Sequence, residues 1–167
     1  MLAVAPGVIV HELGHLALCR LSGVPVGRVV LFRIGSPAGF VAHAGPRLLR
    51  QHLAISVGPL AVSSVFAVAL FLAVARFMAT RPGAWWPAAA VLGLWPALSI
   101  ALEAWPSAPD ADALRRSASA QLRRLNVAAL MALPLCWMLL AVNASRRLGG
   151  NWLYAGFLAA AALHLSR

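Results

Sequence analysis

Apolar residues run almost unbroken through five stretches of the chain, at about 2–22, 52–78, 84–105, 125–143 and 152–165. A helix needs about 20 residues to cross bilayer hydrocarbon, so the first four are long enough and the fifth is short for a full crossing. The first stretch ends at Ser22-Gly23-Val24-Pro25, where glycine suits a left-handed cap and proline stops the helix. The segment at 24–46 has another pattern. Val24, Val26, Val29, Val30, Leu31, Phe32 and Ile34 lead into Gly35-Ser36-Pro37, and Gly39-Phe40-Val41-Ala42-His43 follows. This predicts a β-hairpin at the membrane border, with its open edge turned to water, protein or a cavity, because lipid cannot satisfy an exposed strand. Residues 106–124 are polar and predict a short interfacial helix that sets Arg115, Arg116, Arg123 and Arg124 near the headgroups. The expected fold class is an all-α polytopic membrane protein of about five helices with a small β-hairpin, one integral membrane domain over residues 1–167.

Composition agrees with this pattern. Hydrophobic residues make up 62% of the chain, well above the roughly half found in soluble domains. The net charge of +10 comes from arginine alone, with no lysine. Such a charge can signal nucleic acid, but these arginines fall mainly in the gaps between apolar stretches, which is the placement that sets membrane topology. Arg20, Arg28, Arg33, Arg47 and Arg50 lie in the first connection and Arg115, Arg116, Arg123 and Arg124 in the third. Arg76 and Arg81 lie in the second, and Arg146 and Arg147 in the fourth. The first and third share a side and carry the excess, so the positive-inside rule puts them in the cytoplasm and the N-terminus outside, in a multi-pass protein of the cell membrane. The expected partner from this pattern is the lipid bilayer, with no nucleic acid. The start lacks a basic n-region and does not read as a cleavable signal peptide. Cys19 and Cys136 both lie within apolar stretches and give no disulfide framework. Most of the six tryptophans sit near stretch ends, as an aromatic belt would.

The chemistry is concentrated in the first stretch. His11-Glu12-Leu13-Gly14-His15 is an H-E-x-x-H motif, which on a helix puts two imidazoles on one face, where they can hold a zinc ion, and lets the glutamate reach a water beside it. Ionisable residues in an apolar span are costly and usually functional. Zinc in a hydrolase takes a third protein ligand and leaves a fourth position open. Cys19 is on the same face as His11, but two turns separate them by about 12 Å, too far to share an ion. The other acidic residues are Glu103, Asp110 and Asp112. After His15 the chain crosses twice, which returns Asp110 and Asp112 to the side it left. Asp110 is favoured, then Asp112, then Glu103. Ser107-Ala108-Pro109-Asp110 also fits a helix-capping box, so Asp110 has a structural reading as well.

The order of the His11–His15 motif, a hairpin ending in Gly39-Phe40-Val41, and Gly58-Pro59-Leu60-Ala61 in the second helix resembles the site-2 protease family of intramembrane zinc metalloproteases. The resemblance spans roughly residues 5–115. It implies a three-helix catalytic core over 1–115, including the hairpin at 24–46, with accessory C-terminal helices over 116–167. In the family the third ligand is an aspartate of a proline- and asparagine-containing L-D-G motif. Here Glu103–Asp110 keeps the prolines and the aspartate but not the asparagine or the glycine, and Val62 stands where the second-helix motif usually ends in asparagine. The resemblance implies zinc held by His11, His15 and Asp110, with Glu12 as the general base of peptide-bond hydrolysis in a membrane-protein substrate. His43 on the hairpin is a candidate oxyanion partner, and the hairpin edge could hold substrate as an added strand. The competing readings are a catalytically silent membrane protein with structural or regulatory zinc, and a small transporter. Against the transporter, the chain has no internal repeat.

Overall fold

The structure, a computed structural model, describes residues 2–80, 83–122 and 127–166, without the side chains of 121, 122 and 127–132. Helix α1 (Ala5–Leu21) follows a single 3-10 turn and carries Pro6 in its first turn, where a missing N–H costs nothing. It stops as the sequence predicts. Gly23 takes φ +68, and the Ser22 and Gly23 N–H groups donate to the carbonyls of Leu18 and Arg20. The hairpin pairs β1 (Val26–Val30) with β2 (Phe40–His43), antiparallel, with Val30 opposite Phe40, Val26 opposite His43, and an irregularity between Val26 and Val29. Arg33 closes its loop, donating from its backbone to Ala38 O and from Nε to Pro37 O.

Helices α2 (Leu49–Thr80), α3 (Trp86–Leu102), α4 (Ala108–Leu122), α5 (Val127–Ser145) and α6 (Gly150–Leu165) complete six α-helices among the described residues. The architecture is therefore mostly helical with one two-stranded sheet, as expected. The sixth helix is α4, the polar one. It buries Ala111, Leu114 and Ala118 at helical spacing against α2 and α5, and turns Arg116 outward. Arg81, Arg123 and Arg124 lie outside the described residues. Two helical runs, Leu2–Leu21 and Leu49–Thr80, are long and apolar enough to cross a membrane, while α3 is a shorter apolar helix of 17 residues. Outward faces are apolar too: Val65, Phe66, Val91, Leu92, Leu153 and Phe157 are all exposed. Trp105 departs from the aromatic-belt pattern, being buried against Tyr154 with ring centroids 5.9 Å apart.

The central helix is α2, which touches α1, α3, α4 and α6. The cluster it shares with α3 and α6 has alanine at five of its eight buried positions (Ala67, Ala97, Ala101, Ala155, Ala162), so the helix backbones approach closely. Where α1 crosses α2, Gly14 meets Pro59: a Cβ at Gly14 would lie 2.9 Å from Pro59 Cα. Gly58-Pro59 thus sits inside a continuous helix and serves close packing.

The register of α1 and α3 places the site. Trp95 Nε1–H donates to Ala3 O at 2.8 Å, Gly7 N–H to Ser99 Oγ at 2.9 Å, and His11 Nδ1–H to Glu103 O at 2.9 Å. Each bond spans 92 residues, one per helical turn, so α1 and α3 run parallel in fixed register. The middle contact depends on glycine, because a Cβ at Gly7 would press into the Ser99 carbonyl and come within 2.9 Å of Glu103 Cβ. Gly7→Ala is therefore expected to destabilise the protein by about 1–3 kcal/mol through overpacking. Gly156→Ala on α6, where nothing lies within 4 Å, should be neutral or gain about 0.5–1 kcal/mol. Thermal unfolding in detergent reads both, and equal Tm values for the two variants would contradict the register described.

Candidate metal centre

α1 turns His11, Glu12 and His15 inward; they are 8, 9 and 7% exposed. The two imidazoles lie edge to face with centroids 4.9 Å apart. Because Glu103 O can only accept, His11 carries its proton on Nδ1 and leaves the Nε2 lone pair facing the site. The chain leaving α3 then brings in the third group. Asp110 Oδ2 lies 3.3 Å from His15 Nε2 and 4.0 Å from His11 Nε2. The three ligand atoms fall within 4.8 Å of one another, so His11, His15 and Asp110 could hold a metal ion. Zinc bonds of about 2.0–2.2 Å in tetrahedral array separate neighbouring ligand atoms by about 3.3 Å. The His15–Asp110 distance already matches that, and the His11–Asp110 gap closes with a sub-ångström shift. Two imidazole nitrogens and one carboxylate are a donor set that zinc accepts, with a fourth position left open.

The capping box and the metal-facing carboxylate prove to be one group. Asp110 Oδ2 accepts from Ser107 N–H at 3.2 Å and from the Ser107 hydroxyl, while Asp110 N–H donates back to Ser107 Oγ at 3.3 Å. The cap thus orients the oxygen that faces His15. Ser56 of α2 donates to Asp110 O at 3.3 Å, which ties the first turn of α4 to α2. Burial works against ionising Asp110, but the hydrogen bond and charge of His15 and the Ser107 hydroxyl outweigh it and hold its carboxyl below the usual range.

The other two acids are engaged elsewhere. Glu103 Oε2 pairs with Arg146 at 3.0 Å, and Asp112 pairs with Arg115 at 3.4 Å on the outer side of α4. Cys19 is buried against Val24 and Ile55 as a packing residue, apart from the ligand set. A cleft of about 440 Å³ opens over the site, with His11, Glu12, His15 and Asp110 on one wall and Gly39, Phe40, Val41 and His43 of the hairpin on the other. The hairpin backbone passes tightly over Glu12: a Cβ at Gly39 would lie 2.8 Å from Glu12 Cγ. His43 reaches the cleft wall with its Nδ1 against Ala44 O. A smaller cleft of about 170 Å³ also reaches Glu12 and His11 and is walled by Glu103, Trp105 and Arg146. Nothing in the sequence marks Arg146 or the Glu103 carbonyl as neighbours of the site. Ser107 is visible there as the first residue of S-x-x-D. Comparison with protein-family models, with curated proteins and with solved structures returns no match for this chain.

Proposed function

We propose that the protein is a multi-pass intramembrane zinc metalloendopeptidase, similar in plan to the site-2 proteases, that hydrolyses peptide bonds of membrane-embedded substrates. The observation that carries this reading is the convergence of His11 and His15 of the apolar helix α1 with Asp110 of α4, with Glu12 in the adjoining cleft. A zinc ion held there supplies Lewis acidity, lowering the pKa of a water and polarising the scissile carbonyl. Glu12 takes the proton of the attacking water and returns it to the leaving amine. Glu103 O keeps the His11 ring in the required tautomer, and Ser107 keeps Asp110 turned inward. Phe40–His43, on the opposite wall, offers an extended edge on which an unwound substrate segment can pair and present its amide. The apolar outward faces and the alanine-rich helix contacts suit a bilayer, with the N-terminus outside and the site toward the cytoplasm of the cell membrane.

A second reading is a structural zinc, favoured by one fact: Asp110 belongs to the capping box that opens α4, so an ion there would staple α4 to α1. The test uses purified protein reconstituted with a single-pass helical substrate. Cleavage is expected to stop on chelation and return with zinc. Cleavage indifferent to chelation excludes zinc catalysis, and zinc at one per chain with no cleavage leaves the structural reading.

A further inference from the structure

The geometry points to Arg146, between α5 and α6, as a positioning residue of the metal centre that acts through Glu103 on His11. Glu103 is the C-cap of α3, and its carbonyl is one of the last in that helix, where no further intrahelical N–H is available. That carbonyl receives the His11 Nδ1 proton. A helix end frays unless something holds it, and the Glu103 side chain is held by Arg146 Nη2 at 3.0 Å. Both side chains are about three-quarters buried, at 28% and 27% exposure, so the pair is shielded from water more than a surface ion pair is.

The grip extends along the segment that joins α3 to Asp110. Asn143 Nδ2–H donates to Pro106 O at 3.1 Å, and a Cβ at Gly150 would lie 2.9 Å from the Trp105 ring. The elbow of residues 143–150 therefore holds the connecting segment at three points: Glu103, Trp105 and Pro106. One end of that segment orients His11 and the other supplies Asp110. The C-terminal helices are thereby part of what sets the metal geometry. The smaller cleft beside Glu12 is walled by the same Arg146–Glu103 pair, so loosening it also opens the site on that side.

The inference rests on the proposed metal centre, and its test separates the two. Zinc affinity is measured on the full chain in detergent by competition with a chromophoric chelator, and the visible absorption of the cobalt-substituted protein is recorded. Arg146→Met keeps the apolar stem and removes the charge. It is expected to weaken zinc binding about tenfold and to change the cobalt bands, the lower end of the effect seen for direct partners of metal ligands, because Arg146 acts one residue further out. Arg146→Lys retains a cation and should recover most of both signals. Should Arg146→Met not fold, the test rests on Arg146→Lys and on the exchanged pair Glu103→Arg with Arg146→Glu, in which the backbone carbonyl is unchanged and the pair is rebuilt. Restored affinity and cobalt bands in those variants support the role, and their loss in both overturns it. Wild-type affinity and bands in Arg146→Met also overturn it and leave the metal centre standing. A wild-type chain that takes up no zinc removes the centre itself.

Discussion

Glu12→Gln is expected to lower cleavage of a membrane-helix substrate on the order of 10²- to 10⁴-fold, the usual contribution of a positioned general base, while zinc stays at one per chain. Glutamine keeps the length and shape of glutamate but cannot accept the proton of the attacking water. Shape matters at this position, because Glu12 Cγ sits under the hairpin backbone at Gly39 with no room for added bulk. Zinc should be retained because Glu12 is not one of the three groups that converge. Initial rates against metal content by atomic absorption check both halves. An unchanged rate removes Glu12 from the mechanism, whereas joint loss of zinc and rate means that Glu12 itself holds the ion.

Asp110→Ala should weaken zinc binding by more than about 100-fold, beyond the range seen when only a supporting partner is lost. The alanine variant also forfeits the bond that Asp110 Oδ2 accepts from Ser107 N–H in the capping box, a loss of about 0.5–1.5 kcal/mol of stability, so metal loss and helix damage must be separated. Asp110→Asn does so: its amide oxygen can still accept from Ser107, but it lacks the charge and basicity of the ligand. It is expected to lose zinc with little change in Tm. Ser107→Ala makes the opposite cut, lowering Tm while zinc affinity falls by about 10- to 100-fold, the range for a lost supporting partner. Asp112→Ala, whose partner is Arg115 at the surface, should keep full zinc. If Asp110→Ala binds zinc with the wild-type constant, the third ligand lies elsewhere.

The placement of these groups is legible in the sequence to different degrees. The His11–His15 spacing needs only a helix, and the apolar stretch around it supplies one. The nearness of Asp110 follows from two coarse facts: acids are scarce, and two further helices return the chain to the end of α1 that it left. Helix extents are less legible. α2 begins at Leu49 rather than near 52 and runs to Thr80, because its polar first turn carries no apolar signal. The Glu103 carbonyl and Arg146 are not legible at all. A backbone carbonyl has no side-chain signature, and the Arg146–Glu103 contact spans 43 residues and depends on how two helix ends meet. In the sequence the Asp110 cap and the Asp110 ligand look like rivals, because a motif shows a residue's bonds one at a time. In the fold one carboxylate oxygen serves the cap and faces the site together.

The parallel register of α1 and α3 also dictates when the centre can first exist. His11 and His15 leave the ribosome early, but Asp110 follows only after two further helices, and Arg146 later still. At about 5–20 residues per second, roughly 5–20 s of synthesis separate the second histidine from the aspartate. Throughout that interval the nascent chain holds only two of the three ligands. A chain that cuts membrane segments, as proposed, is thereby inert while α1, α2 and α3 are being made, and the order of its helices acts as their safety catch.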